Sequence, residues 1–320
     1  MRSLAKTEAS QFDLLMAGTV IPLLVIDIAL AKLVHLNAGE ELRTALGLTI
    51  GSPGLWILVA ACLYCRWRKM TRMADLSQVL AWVLVVAPTI SFLIPAAGRS
   101  PYPLVDSGLA RIDAAMHFHT VDIVHLFSRI PRVQHALYIA YALLWVLVVA
   151  SLLIPTLGGR GVDSRRYVFA VLIASIMTAL LFAFWPAAGP WTVQNFPPNG
   201  DQAEVVGALA ALKSGQPLPE DVKTAVVAFP SFHVILAVLS VVALWNTRWV
   251  RWFAVVFGTM ICISTITTGW HYGIDVIGGL AVTYLAQVVA CIAIKAMPPA
   301  KSLALDLVDA DASQAVPLGA

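Results

Sequence analysis

Charge is what this chain has least of. Only 12% of its 320 residues are Asp, Glu, Lys or Arg, where a soluble domain carries about 25%. With 59% apolar residues and a mean hydropathy of +0.82, it cannot clothe a water-facing surface in the usual way. A soluble enzyme is therefore excluded, and a protein with several membrane spans is expected. Cysteine is scarce as well. Cys62, Cys65, Cys262 and Cys291 all fall in apolar runs, so no disulfide framework is expected. The Cys62/Cys65 pair reads as two small packing residues rather than a redox pair. The net charge of +3 is small, and no nucleic-acid partner is expected. There is no internal repeat and no low-complexity tract. Residues 1–13 carry Arg2, Lys6, Glu8 and Asp13, and no A-x-A cleavage pattern follows them. They read as a polar cytoplasmic segment.

Long apolar runs are what the chain does have. About 20 apolar residues cross the hydrocarbon. Spans fit about 14–36, 45–65, 76–97, 134–156, 167–188, 232–247, 250–269 and 273–294, with Pro22, Pro53 and Pro88 interrupting three of them. The expected fold is thus all-α, a polytopic membrane helix bundle of about eight transmembrane helices. Residues 14–296 form one membrane-embedded domain, and the Pro-, Ala- and Asp-rich tail 297–320 is expected to be disordered. Arg66, Arg68, Lys69 and Arg72, then Arg160, Arg165 and Arg166, then Arg248 and Arg251, then Lys295 and Lys301 fall on one side of such a bundle. The positive-inside rule makes that side cytoplasmic. Two long connections, 98–133 and 189–230, then lie outside. The first mixes Asp106, Asp113, His117, His119, Asp122 and His125 with apolar residues and reads as interfacial helices; the second contains a helical piece, Gln202–Ser214.

The chemistry concentrates in 229–275. Phe229-Pro230-Ser231-Phe232-His233 opens one apolar segment, and Thr268-Gly269-Trp270-His271-Tyr272-Gly273-Ile274-Asp275 closes the next. The topology puts His233 and His271 at one membrane level, the outer face. On a helix, a spacing of four would set His271 and Asp275 one turn apart on one face. A carboxylate there can accept the imidazole N–H and fix its tautomer. His271, His233 and Asp275 are therefore the expected catalytic set: nucleophile, general acid and orienter. Ser231, Phe232 and Trp270 are expected beside the substrate. Helix starts near 232 and 273 would direct N–H groups and partial positive charge at a phosphate. Arg99, Arg111, Lys213 and Lys223 are outer-side cations for the same purpose. Gly278 and Gly279 read as places of close helix approach. His119, Asp122 and His125 spread over about a third of a helix circumference. An interfacial polar face explains them, and neither a metal nor a cofactor is expected.

At these residues the sequence resembles the type 2 phosphatidic acid phosphatase superfamily. Pro230-Ser231-Phe232-His233 stands for its second motif, Ser-Gly-His. Ser264, His271 and Asp275 fall in register with its third, Ser-Arg, five residues, His, three residues, Asp. Phe232 between serine and histidine, and the string His271-Tyr272-Gly273-Ile274-Asp275-Val276, look most like the inositol phosphorylceramide synthase branch. Two positions depart from the pattern. Thr265 replaces the third motif's Arg, and Phe184-Trp185-Pro186-Ala187-Ala188-Gly189-Pro190-Trp191 holds no cation where the first motif has Lys and Arg-Pro. The resemblance implies a phosphatase or phosphotransferase working through a phosphohistidine. Its substrate would be a lipid phosphate or phospholipid, and its acceptor water or an alcohol such as a ceramide-like lipid. The site would face outward from a cell (inner) membrane. The rival class is a transporter or lipid-binding membrane protein without turnover, for which Asp27 inside the first span and the His-rich outer segment would serve. Against it, no paired broken helices or repeated halves are visible.

Overall fold

A computed structural model of the chain describes residues 2–33, 47, 50–194, 196–216 and 227–296. Among the described residues the regular elements are helical: α1 (Arg2–Leu33), α2 (Pro53–Trp67), α3 (Thr71–Gly98), α4 (Asp106–Ala115), α5 (Thr120–Ser128), α6 (Pro131–Ala142), α7 (Leu144–Leu157), α8 (Gly161–Phe184), α9 (Gly200–Lys213), α10 (Phe232–Leu244), α11 (Val250–Thr267) and α12 (Gly273–Lys295). A single 3₁₀ turn spans Pro190–Thr192. Four of these, α3, α8, α11 and α12, are long and apolar enough to cross a membrane, and α6 with α7 makes a fifth if a 45° bend is allowed. The three other expected spans coincide with shorter apolar helices, Ser10–Ile26, Pro53–Trp67 and Phe232–Leu244. The exposed surface is rich in large apolar side chains such as Trp145, Leu180, Phe253 and Tyr284. This is the make-up of a multi-pass membrane protein.

α8 is the central helix. It packs on α3, α7, α10 and α12. Small residues allow this: Ala170, Ala174, Ser175 and Ala179 are at most 2% exposed and let neighbouring backbones approach. Several polar side chains inside the bundle find partners within it. Ser151 and Thr156 each bond the carbonyl four residues back in their own helix, while Ser240 reaches Tyr167 across helices.

Several expectations shift in detail. Residues 2–13 form the first turns of α1, with Phe12 buried. Pro53 interrupts nothing: it stands in the first turn of α2, where its missing N–H costs no bond. The expected span 134–156 breaks near Leu143. Asp27's side chain, Lys223 and the tail 297–320 lie outside the described residues.

The two ends of the bundle differ. At one end, Arg165 bridges to Asp75 at 3.1 Å, and Arg160 pairs with Asp163. At the other, Gly98 abuts Leu212 of α9, and Lys213 Nζ donates to the carbonyls of Ser100 and Tyr102. The 28 residues of α3 separate these ends, about 40 Å at 1.5 Å per residue. The motif segments join the second end, where Gln202 of α9 donates to the Thr268 carbonyl.

Candidate active site

α10 and α12 hold the two motifs together at their amino ends. The N–H of Ser231 donates to the Asp275 carbonyl at 3.1 Å. A Cβ on Gly279 would stand 2.8 Å from the Ser231 carbonyl oxygen, so only glycine allows this contact. Ser231 caps α10: its hydroxyl accepts from the Val234 N–H at 3.5 Å. The N–H groups of Phe232 and His233 in that first turn have no such partner among the described residues.

His271 is 3% exposed. Its Nδ1 lies 2.9 Å from the Ala228 carbonyl oxygen and 3.3 Å from Asp275 Oδ2. A carbonyl only accepts, so Nδ1 carries the proton and Nε2 carries the free lone pair. The tautomer is thus set by two acceptors, one of them a backbone atom 43 residues away in sequence. Burial pushes the His271 imidazole down to about 4, with the Ala228 bond offsetting part of the shift. The ring is therefore neutral near pH 7. His271 is not on a helix, contrary to the reasoning from spacing. It precedes α12, and Asp275 reaches it by folding back over the helix start, where Oδ2 also accepts from the Tyr272 N–H at 2.9 Å.

His233 faces the same spot. Its ring centroid lies 6.3 Å from that of His271. Tyr141 of α6 stacks on it at 4.1 Å, with its hydroxyl 3.4 Å from His233 Nδ1. Beyond Tyr141 stands Trp270, nearly parallel at 6.4 Å, and Trp191 meets Trp270 edge-on at 5.4 Å. These rings form one aromatic wall beside the histidines. Gly189 makes room for it: its φ is +144°, and a Cβ there would enter the Trp191 ring. Of the other residues expected beside the substrate, Ser231 is fully buried, and Phe232 packs into the apolar clusters around α8 and α10.

Two buried carboxylates were not expected here. Asp113 of α4 caps α12, accepting from the Gly273 and Ile274 N–H groups at 2.7 and 2.8 Å. Asp106, seven residues earlier at the start of α4, accepts from the Ala188 and Gly189 N–H groups at 3.0 and 2.8 Å and from the Tyr272 hydroxyl at 3.2 Å. Burial raises both carboxyls, and the backbone N–H groups pull part of the way back. These contacts correct one expectation. The amino end of α12 is occupied by Asp113, whereas the Phe232 and His233 N–H groups of α10 have no such partner among the described residues.

Residues 107–289 match the sequence model of the PAP2 superfamily. The chain belongs to the PAP2 superfamily. This is a phosphatase superfamily, and membership makes the protein an enzyme of that kind. No curated protein and no solved structure matches the chain. The matched region holds His233, His271, Asp275, Tyr141 and Asp113, and stops one residue short of Asp106.

Within the PAP2 region, the third-motif positions 264 and 265 turn inward. Ser264 and Thr265 are fully buried, and their hydroxyls donate to the carbonyls of Ile261 and Cys262 in their own helix. Of the expected outer-side cations, Lys223 lies outside the described residues, and Arg99 Nε and Nη1 are buried without a hydrogen-bond partner among the described residues. Lys213 pins the 100–102 turn, Arg99 donates to the Gln216 carbonyl and Arg111 to the Ser107 carbonyl. Among the described residues no group of three His, Cys, Asp or Glu side chains is placed to hold a metal, and His117, His119, Asp122 and His125 form none.

A sequence signal for Asp106 and Asp113 exists. They are seven residues apart, hence on one face of a short helix with Leu109 between them. Tyr141, a hydroxyl in an apolar helix, also needs a partner.

Proposed function

We propose that the protein transfers a phosphoryl-containing group from a membrane lipid phosphate through a phosphohistidine on His271. The observation that carries this is the double restraint on His271 Nδ1, which leaves Nε2 as an uncharged, oriented nucleophile. Nε2 attacks phosphorus, the N–P bond forms, and the bond from phosphorus to the lipid oxygen breaks. His233, held as the doubly protonated imidazolium by the bound phosphate's negative charge, gives that oxygen its Nε2 proton and becomes neutral. Water or an alcohol then attacks phosphorus, His233 takes the acceptor's proton, and the N–P bond breaks. Atoms and charge balance without a further reactant.

Asp275 is the orienter and stabilises the ring as it gains positive character. The free N–H groups of Phe232 and His233 at the α10 start suit the phosphoryl oxygens. Tyr141 positions His233: in the acid form its hydroxyl accepts from Nδ1–H, and the second proton stands on Nε2 toward the substrate. Trp270 contributes an apolar wall to a lipid substrate, while Ser231 and Phe232 act through α10, by capping and packing it. The basic residues at the far end of α3 and α8 favour a cytoplasmic location for that end. The site would then open on the extracytoplasmic face of a cell (inner) membrane.

Transfer to a hydroxylated lipid, as in the inositol phosphorylceramide synthase branch, is the second reading. The apolar Phe232 between Ser231 and His233 favours it.

The test uses purified protein with an alkyl lipid phosphate and an aryl phosphate, with and without candidate alcohols. Acid-labile phosphoenzyme should form on the wild type. His271→Ala should form none from either substrate. His233→Ala should lose about 10²–10⁴-fold on the alkyl substrate, the usual reach of general acid catalysis, and much less on the aryl one. Phosphoenzyme on His271→Ala would refute the assignment. Phosphoryl-alcohol products would select transfer over hydrolysis.

A further inference from the structure

A second polar cluster lies at the opposite end of α3 from the histidines, outside the family match. Asp13 of α1 accepts on Oδ1 from Gln78 Nε2 and Trp82 Nε1 of α3, both at 2.7 Å. Its Oδ2 faces Arg66 Nη2, in the last turn of α2, at 3.9 Å. That Nη2 is shielded from solvent and makes no hydrogen bond among the described residues. Asp13 thus lies at ion-pair distance from the guanidinium and leaves Nη2 as an unused donor.

A cavity of about 340 Å³ opens beside this cluster, between α1, α2 and α3. Its α2 wall is Leu55, Val59, Cys62 and Arg66. These recur at helical spacing and make one stripe. The α3 wall, Gln78, Ala81, Trp82 and Val85, is a second stripe. The lining is therefore a slot parallel to the helix axes, apolar along its length and polar at one end. From Leu55 to Arg66 is 11 residues, about 16 Å at 1.5 Å per residue. One leaflet of the hydrocarbon core is about 15 Å, half of about 30 Å. Trp56 and Leu63, 56% and 62% exposed, also line the slot and open it to the bilayer side. Beyond the polar end stand Arg68, Lys69 and Arg72. Asp75, the nearest acid in sequence, is engaged by Arg165.

We propose that this slot binds one acyl chain of an anionic phospholipid, with the phosphate at Arg66 and the basic turn after it. Length selects a single chain of one leaflet, and charge selects an anionic head group. About 40 Å of α3 lies between this site and the histidines, so the lipid held here is not the one turned over. It acts as a bound ligand of the α1–α3 unit.

The full chain is placed in nanodiscs of phosphatidylcholine containing a minor fraction of phosphatidylglycerol with a photoactivatable acyl chain. A matched set carries photoactivatable phosphatidylcholine instead. Cross-linked peptides are mapped in the wild type, Val59→Trp, Arg66→Gln and the bilayer-facing control Ile57→Trp. Labelling should map to the stripes on α2 and α3 and favour the anionic lipid. Val59→Trp should abolish it, and Ile57→Trp should not. Arg66→Gln should lower the preference for the anionic lipid about fivefold, from about 1 kcal/mol per cation near the surface. Size-exclusion profiles check that each variant is folded, and Arg66→Gln carries the test if Val59→Trp is not. Equal labelling by both lipids, undiminished labelling of folded Val59→Trp, or cross-links that join two copies of the protein would each overturn the proposal.

Discussion

Replacing Asp113 by alanine should damage the site without touching either histidine. Its carboxylate holds the first two N–H groups of α12, at 2.7 and 2.8 Å, in a position with no exposure to water. Removing it strands both donors. An unsatisfied buried donor costs about 1–3 kcal/mol. Against this, burial raises the carboxyl, so the ionised group carries a desolvation cost that the variant escapes. The net loss should be about 2–4 kcal/mol, above the loss of about 1 kcal/mol for an ordinary helix cap. Asp113→Asn keeps one acceptor and turns an amide toward the second N–H, so it should fall between. The exposed Asp122→Ala is the control and should change little. The measurement is unfolding in detergent by graded denaturant, with phosphoenzyme formation in parallel. The proposed chemistry should weaken too, since Asp275 lies two residues beyond Gly273 and shares the helix turn that Asp113 fastens. If Asp113→Ala is as stable and as active as Asp122→Ala, the capping role and the coupling to Asp275 are both wrong.

Three further outcomes are expected. His271 should make stability depend on pH: its folded value is about 4 against an ordinary 6.5. The unfolded chain therefore binds a proton in that window that the folded site refuses. This contribution is complete above about pH 6.5 and about 3 kcal/mol of it is lost as pH falls to about 4. The buried Asp106 and Asp113 carboxyls have the opposite sign, so the quantity to measure is wild type minus His271→Gln, which should shrink on acidification. Gly279→Ala should cost about 1–3 kcal/mol by overpacking against the Ser231 backbone and should lengthen the α10–α12 contact; an unchanged melting temperature would refute this. For orientation, a membrane-impermeant thiol reagent on intact cells should label Glu204→Cys and spare Arg68→Cys, and the reverse pattern would invert the proposed topology.

Much of the fold was legible because a bilayer imposes simple rules. Runs of apolar residues in 71–98, 161–184, 250–267 and 273–295 became helices long enough to cross. The short ones were harder to weigh, because length alone does not separate a 13-residue α10 from a buried helix. The bend after Ala142 had no glycine or proline at the break to announce it. In the site, the His271–Asp275 pairing was readable from spacing, yet the reason was different. Helical periodicity would have placed both on one face, whereas His271 lies before the helix and Asp275 folds back to it. The Ala228 carbonyl could not be read at all, since a backbone acceptor has no residue type. Asp106 and Asp113 sat in a segment whose mixed composition suggested an interfacial helix. Apart from the Tyr272 hydroxyl, their partners in distant segments are backbone N–H groups, which leave no pattern in the sequence.

That backbone acceptor changes what genetic variation can reach. Side-chain replacement at 228 leaves the carbonyl in place, so a scan of point substitutions would pass over half of what orients His271. The vulnerable quantity is the length of chain between Ala228 and the Ser231 N–H that ties it to Asp275. Adding or deleting one residue there would move the carbonyl away from the ring while every named side chain survived. In this protein the punctuation between motifs is as constrained as the motifs, and alignments that score only residue identity would miss it.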